Sequence, residues 1–360
     1  MNIALISYGE YDYDGRLREL YNTFSKIGTV NMLSRGNKEC SNTHILFRSN
    51  NYIKFILEAI RFVKKMEDLD ILVLDNRRAA LVGLFLKKEN VVIQDCRELY
   101  DINDVKHFVG KIGCIIEKKM IEKSDIIICA NKERAEKMEE LFDLERKPIV
   151  FENLRKLKYS SENRKETLKE KYSDIIKKDE IRIISSSGCS VDRTNDILVK
   201  NLKNINEQYK TRLILVGENS GSDYETIKKL LKDNEIGNVT ILGKIEQDDL
   251  KYLISNSHIG VVNYSSVGLN NSLCASGKLY EFMYEGIPVI TTSNLPLKNI
   301  CEEYGVGVAD DTYYKGINEI ICNYDMYVNN VLNFIKYNTV EKNNERFIST
   351  IRKEINRICT

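Results

Sequence analysis

What this 360-residue chain lacks narrows its reading before any motif is named. It has almost no net charge, with 54 Lys and Arg against 53 Asp and Glu. No global field therefore draws it to nucleic acid, and any anion site has to be local. Its nine cysteines include no pair at C-x-x-C spacing, and its three histidines (44, 107 and 258) are widely separated. That argues against a zinc site, and the odd thiol count argues against a disulfide framework. Reduced thiols in a cytosolic protein are the expectation. There is no run of about 18 apolar residues, so no spanning helix is expected. The opening "MNIALISYGE" has no basic stretch ahead of its short apolar run and does not read as a signal peptide. What is present is ordinary globular composition, 42 % apolar, and length enough for two domains.

Short apolar strands alternate with helical stretches along the chain. "NIALISY", "ILVLDN" (71–76), "VVIQD" (91–95), "DIIICA" (125–130) and "PIVFEN" (148–153) read as strands, with helices between most of them. Such alternation builds βαβ units and a parallel sheet covered on both faces. The segment "LRKLKYSSENRKETLKEKYSDIIKKDE" (154–180) is charged, Lys-rich and poor in strand signals, and reads as a partly helical connection. The pattern then restarts with "IRIISSSG" (181–188), "TRLILVGE" (211–218), "NVTILGK" (238–244), "HIGVVNY" (258–264) and "PVITTS" (288–293), with "VGVAD" (305–309) as a short last strand. The expected fold class is α/β, with two Rossmann-like domains whose parallel sheets face a central cleft. The expected bounds are 1–154 for the first domain, 155–180 for the connection, 181–332 for the second domain and 333–360 for C-terminal helices that pack back on the first. Ligands of such sheets bind at the carboxyl ends of strands, which selects the loops that matter.

In "SGKLYEFMYEGIPVITTS" (276–293), Leu279, Phe282 and Met283 recur at helical spacing, and Gly286 and Pro288 end the helix. Lys278 falls at the helix start, where unpaired N–H groups already carry positive partial charge. A cation is favoured there only beside an anion. Gly277 permits close backbone approach, and the N–H groups from Gly277 to Leu279 together with Lys278 suit a diphosphate. Glu281 has two acceptor oxygens, suited to ribose hydroxyls. The residues alone equally allow a glutamate that complements the dipole beside a solvated lysine. The preceding loop "SSVGLNNSLCASG" (265–277) is long and polar and contributes Asn271. "SSSGCSVDRTND" (185–196) offers Ser186, Ser187 and Gly188 to phosphate oxygens, with Arg193 one turn on, although an ordinary N-cap by Asp192 or Ser190 fits as well. Gly217 and Gly243 each end a strand, and the backbone at Lys244 and Ile245 is placed to read a nucleobase edge.

These residues carry a resemblance. "SGKLYEFMYEGIPVITT" resembles the helix-and-strand signature of GT-B glycosyltransferases of the retaining family four, glycosyltransferase group 1. "ILGKIEQDDLKYLISNSHIGVVNY", "YDGRLRELYNTFSKIGTV", "VVIQDCRELYD" and "KPIVFEN" resemble other segments of that family in the same order. The likeness implies the GT-B fold and transfer of a sugar, with retention, from a UDP- or GDP-linked donor to a glycan or lipid-linked acceptor, in cell-surface polysaccharide or glycoconjugate synthesis. It implies no cofactor and no bound metal, the nucleotide sugar being a substrate. Glu281 matches the second of two glutamates common in the family, and Leu273 stands where the first would be. Arg97 stands where a histidine is common, and Arg193 is the one cation near the position of a usual Arg and Lys pair.

In the first domain, Arg97 and Glu98 of "DCRELYD" follow a strand and are the candidate catalytic residues. An arginine there acts as a charge stabiliser, since it does not give up its proton; pairing with Glu98 or Asp101 is the alternative. Gly9, Asp14, Gly15 and Arg16 in "GEYDYDGR", and Arg77 after "ILVLDN", are the candidate acceptor contacts. "DLD" (68–70) precedes its strand, the wrong end for a metal site. Two basic amphipathic stretches, "NYIKFILEAIRFVKKMED" (51–68) and "KHFVGKIGCIIEKKMIEK" (106–123), suit either the surface of an anionic membrane or core helices with lysine-bearing solvent faces. The expected location is the cytoplasm, extending to the inner face of the cell membrane. A sugar-nucleotide epimerase of the same fold, or an inactive sugar-nucleotide-binding scaffold, remains open.

Overall fold

The computed structural model describes residues 1–86, 90–161, 163–205 and 209–359. The chain divides into two compact units: residues 1–153 with 268–275 and 341–360, and residues 154–267 with 276–340.

The first unit is built on seven parallel strands: β1 (Asn2–Glu10), β2 (Thr29–Arg35), β3 (His44–Phe47), β4 (Ile71–Asp75), β5 (Val91–Cys96), β6 (Ile126–Cys129) and β7 (Ile149–Val150). Their order is β3-β2-β1-β4-β5-β6-β7, so the winding reverses between β1 and β4. Register is fixed by apolar pairs such as Leu5 with Val73 and Val73 with Ile93, buried on both faces as a fully covered parallel sheet requires. The sequence pattern does not single out β2 and β3. In the structure Val30, Met32 and Leu33 of β2 are nevertheless buried. The strand expected over 148–153 shortens to two residues, because it is an edge with only β6 as neighbour. The last helix, Val340–Cys359, belongs to this unit. Its Phe347 packs against Phe151 and Phe24, with ring centroids 4.3 and 5.9 Å apart.

The second unit has six parallel strands: β8 (Ile181–Ser185), β9 (Thr211–Val216), β10 (Val239–Leu242), β11 (Ile259–Val262), β12 (Val289–Thr291) and β13 (Gly307–Ala309). The order β10-β9-β8-β11-β12-β13 reverses between β8 and β11. Gly260 of β11 is required by a close approach, since a Cβ there would lie 2.4 Å from the ring of Phe282. That contact seats the helix Gly277–Met283 on the sheet.

Two expected bounds are corrected. Residues 155–180 are part of the second unit and no free connection: Tyr172 OH donates to Asp249 at 2.7 Å, Lys171 pairs with the same carboxylate, and Arg164 Nε reaches Asp248 at 3.2 Å. The loop 268–275, read as part of the second domain, belongs to the first unit. The buried Arg134 donates from Nε to the Leu273 carbonyl at 2.7 Å, and Asn131 Nδ2 donates to that of Cys274 at 3.0 Å. Among the described residues no helix is long and apolar enough to cross a membrane.

Candidate active site

In each unit, chemistry-bearing residues gather where the strand order reverses, the usual position for ligands in doubly wound sheets.

In the second unit the centre is Lys278, in the first turn of the helix Gly277–Met283. Its ammonium donates to the Ser186 carbonyl at 2.8 Å and to Ser187 Oγ at 3.0 Å, at the end of β8. No carboxylate lies within ion-pair distance of Lys278 among the described residues. Burial, with the nearby charge of Arg193, lowers its pKa to about 8, while Glu281 pulls the other way. Arg193 lies with its guanidinium carbon 3.9 Å from the centroid of the Tyr264 ring, after β11, and also has no carboxylate partner among the described residues. Two cations thus stand near each other uncompensated, which is the electrostatic form of an anion site.

The supporting shell is polar and buried. Ser187 Oγ donates to Asn263 Oδ1 at 3.1 Å, Asn263 Nδ2 donates to Asn195 Oδ1 at 2.9 Å, and Asn195 Nδ2 donates to the Gly188 carbonyl at 2.9 Å. Thr194 is held at φ 56°, a conformation that β-branched residues rarely adopt, with its hydroxyl bonded to Tyr313. This strained residue sits between Arg193 and Asn195, where it aims both. Ser186 Oγ is buried with no hydrogen-bond partner.

Glu281 is buried, which raises its pKa, while Arg155 and Lys278 hold it down. Arg155 NH1 lies 3.5 Å from Glu281 Oε1. The stem of Arg155 crosses Gly277, where a Cβ would meet its Cδ at 2.3 Å. Arg155 was not foreseen, because it lies 126 residues from Glu281 in the chain.

Several expected donor contacts are placed differently. The Gly188 N–H donates to the Val216 carbonyl at 2.8 Å and so is already used. Gly188 (φ 62°) and Gly217 (φ 138°) are glycines because the two turns touch, a Cβ on Gly188 meeting Glu218 N at 2.6 Å. The Leu279 side chain is core. Asn271 lies in the first unit. Lys244 is exposed and Ile245 half-buried, just beyond the edge strand β10.

In the first unit the same kind of edge is neutralised. Arg97, after β5, donates from NH1 to Asp14 at 2.6 Å and from NH2 to Asp75 at the end of β4. Burial opposes its charge, but Asp75, Asp14 and Asp95 outweigh that and raise its pKa. Burial lifts Asp75 to about 6, with Asp14 and Asp95 adding to the rise and Arg97 and Ser7 opposing it. Asp75 Oδ1 and Arg97 Nε are buried without a hydrogen-bond partner. The expected pairing of Arg97 with Glu98 or Asp101 is replaced by these longer-range partners. Glu98 accepts from Asn76 Nδ2 at 3.1 Å.

Arg16 is no acceptor contact in this structure. It is buried and bidentate to Asp95 at 2.9 and 2.8 Å, and it donates to the Phe151 carbonyl at 2.7 Å. Asp14 caps the helix Gly15–Phe24 through the Leu17 N–H at 3.0 Å. Gly9 lies against this cluster, since a Cβ would meet Asp14 Oδ2 at 2.9 Å. The Arg77 guanidinium lies over Tyr100, 4.5 Å from the ring centroid.

The geometry accords with known proteins. The structure of Anabaena HepE in complex with UDP and glucose matches over 98 % of this chain and 100 % of its own, with TM-score 0.73 and 14 % identity. A glycosyltransferase from Rickettsia africae matches over 98 % of both chains (TM-score 0.69, 15 % identity), and WaaG, a glycosyltransferase of lipopolysaccharide biosynthesis, over 97 % and 99 % (TM-score 0.69, 13 % identity). At such identities the likeness shows the fold, which is that of GT-B glycosyltransferases. Residues 167–345 match the family described as glycosyl transferases group 1. The comparison with curated proteins gave no match.

Proposed function

We propose that this protein transfers a sugar, with retention and without a metal ion, from a nucleotide-sugar donor to a glycan or lipid-linked acceptor in the synthesis of a cell-surface polysaccharide or glycoconjugate. The observation that carries the reading is the uncompensated pair Lys278 and Arg193 at the strand-order reversal of the second unit. In this reading the diphosphate sits against the two cations and Ser187, and Glu281 takes the ribose hydroxyls. Bond cleavage leaves charge on the nucleoside diphosphate, and preorganised cations there stabilise the transition state with little reorganisation. They take the part that a divalent ion plays elsewhere. A bound polyphosphate also strengthens the protonated state of Lys278 by raising its pKa.

UDP is favoured over GDP as the nucleotide, because structures with the same fold hold UDP with glucose, UDP-glucose and UDP-2-fluoro glucose. In the first unit Arg97 is compensated by two carboxylates. That favours hydroxyl recognition there and removes the free cation that a second phosphate would need.

Calorimetric titration with UDP, GDP and UDP-glucose tests the donor site. Lys278→Ala is expected to weaken UDP binding by about 10- to 100-fold, as loss of a charged hydrogen bond does. Arg193→Ala is expected to weaken it less. Unchanged affinity in both variants would remove the assignment.

A further inference from the structure

Thr194 and Tyr313 are both held at positive φ, 56° and 66°. Neither a β-branched nor an aromatic residue favours that conformation, and it persists only where the surroundings impose it. The two lie 119 positions apart in the chain, and a hydrogen bond between their hydroxyl groups joins them. Both belong to the second unit.

Tyr313 is fixed from both ends. Its ψ of −43° makes it the centre of a γ-turn of the rare, strained kind, closed by the Tyr314 N–H on the Thr312 carbonyl at 2.9 Å. The Asp310 carboxylate holds that turn by accepting from the Thr312 and Gly316 N–H groups at 2.9 Å each. The ring is fully buried in the core of the unit, with Ile183, Val261 and Ile317. A phenylalanine would fill the same space, so packing does not call for the hydroxyl.

The direction of the hydrogen bonds is set. Thr194 Oγ1 donates to the Arg193 carbonyl at 2.7 Å and so spends its one proton there. The Tyr313 hydroxyl is therefore the donor to Thr194. Burial lifts its pKa to about 12 against the pull of Thr194 and Asn263, so it keeps that proton at neutral pH. Asn263 is the second neighbour of the hydroxyl. Its Oδ1 accepts from Ser187 at 3.1 Å, and Ser187 accepts from Lys278 at 3.0 Å. One phenol thus stands between the groups that carry Arg193 and those that carry Lys278.

We propose that Tyr313 is a positioning residue of the donor site, whose hydroxyl clamps Thr194 and so fixes Arg193 for the diphosphate. The inference rests on the donor reading above. Tyr313 itself touches no substrate: its ring anchors the turn in the core, and its hydroxyl acts through Thr194.

The test is calorimetric titration of the full chain with UDP, with melts of the same variants. Tyr313→Phe removes only the hydroxyl and is expected to weaken UDP binding about fivefold, as loss of one buried hydrogen bond does. In an Arg193→Ala background the same substitution should change the affinity by less than about twofold, because the group it positions is gone. Thr194→Ser keeps the hydroxyl and should bind UDP as the original chain does. Thr194→Gly takes positive φ without strain and lacks the hydroxyl, so it should match Tyr313→Phe, and it carries the same comparison if Tyr313→Phe does not fold. A merely structural tyrosine would shift the melting temperature and leave UDP affinity unchanged. That result, or an equal loss with and without Arg193, overturns the proposal. If Lys278→Ala weakens UDP binding and Tyr313→Phe does not, this inference alone falls, whereas a chain that binds no UDP removes the donor reading with it.

Discussion

The two strand-order reversals share a topology and differ in electrostatics. In the first unit Arg97 is tied to Asp14 and Asp75, and Arg16 to Asp95. In the second, Lys278 and Arg193 lean on a carbonyl, a hydroxyl and an aromatic ring. The first arrangement is compensated in charge, although Asp75 Oδ1 and Arg97 Nε are buried without a hydrogen-bond partner. The second carries a charge cost that a bound anion would relieve. A cation at a strand end therefore says little until its compensation is known.

The sharpest way to break this comparison is to remove a partner on the compensated side. Asp95→Ala strands Arg16 in the core, and a loss of about 3–5 kcal/mol in denaturant unfolding is expected. A loss below about 1 kcal/mol would show the pair to be dispensable.

A matched substitution comes next in size. At pH 7 without ligand, Lys278→Met is expected to raise stability by about 1–2 kcal/mol, because it removes a desolvated, unpaired charge. Arg97→Met should lower stability, because it leaves the Asp75 carboxylate buried and alone. Melts that moved in the same direction would erase the distinction.

The smallest effect is a pH profile. The Lys278 pKa falls from 10.5 in the unfolded chain to about 8 in the folded protein. Between those values the unfolded chain holds more protons, so the cost is present below pH 8 and relieved as pH rises towards 10.5. UDP affinity should move the other way, falling by up to about tenfold per pH unit above the midpoint. Lys278→Arg should flatten that fall, and a profile that is flat in the original chain would place the proton elsewhere.

Part of the site is legible in the sequence because it is local. Lys278 and Glu281 are three residues apart at a helix start, and Arg193 follows a small-residue turn after a strand. The residues that decide what these groups do are remote. Arg155 reaches Glu281 across 126 positions, and Asn263 reaches Asn195 across 68. Asp75 and Asp14 find Arg97 across 22 and 83 positions. A strand ending in a carboxylate, as "ILVLD" does, is the one local hint of the last cluster. The loop 268–275 follows a strand of the second unit, yet Arg134 and Asn131 hold it in the first.

Alternation of apolar strands with helices determined by itself that there are two parallel sheets, though not the strands β2 and β3, because a periodic pattern has few ways to bury its apolar faces. It also set which loops stand at the carboxyl ends of the strands. Only the tertiary structure decided which cations are neutralised, which glycine N–H is already used and which face of a helix is covered. Each of those depends on groups that folding brings together from distant parts of the chain, and local periodicity carries no record of them.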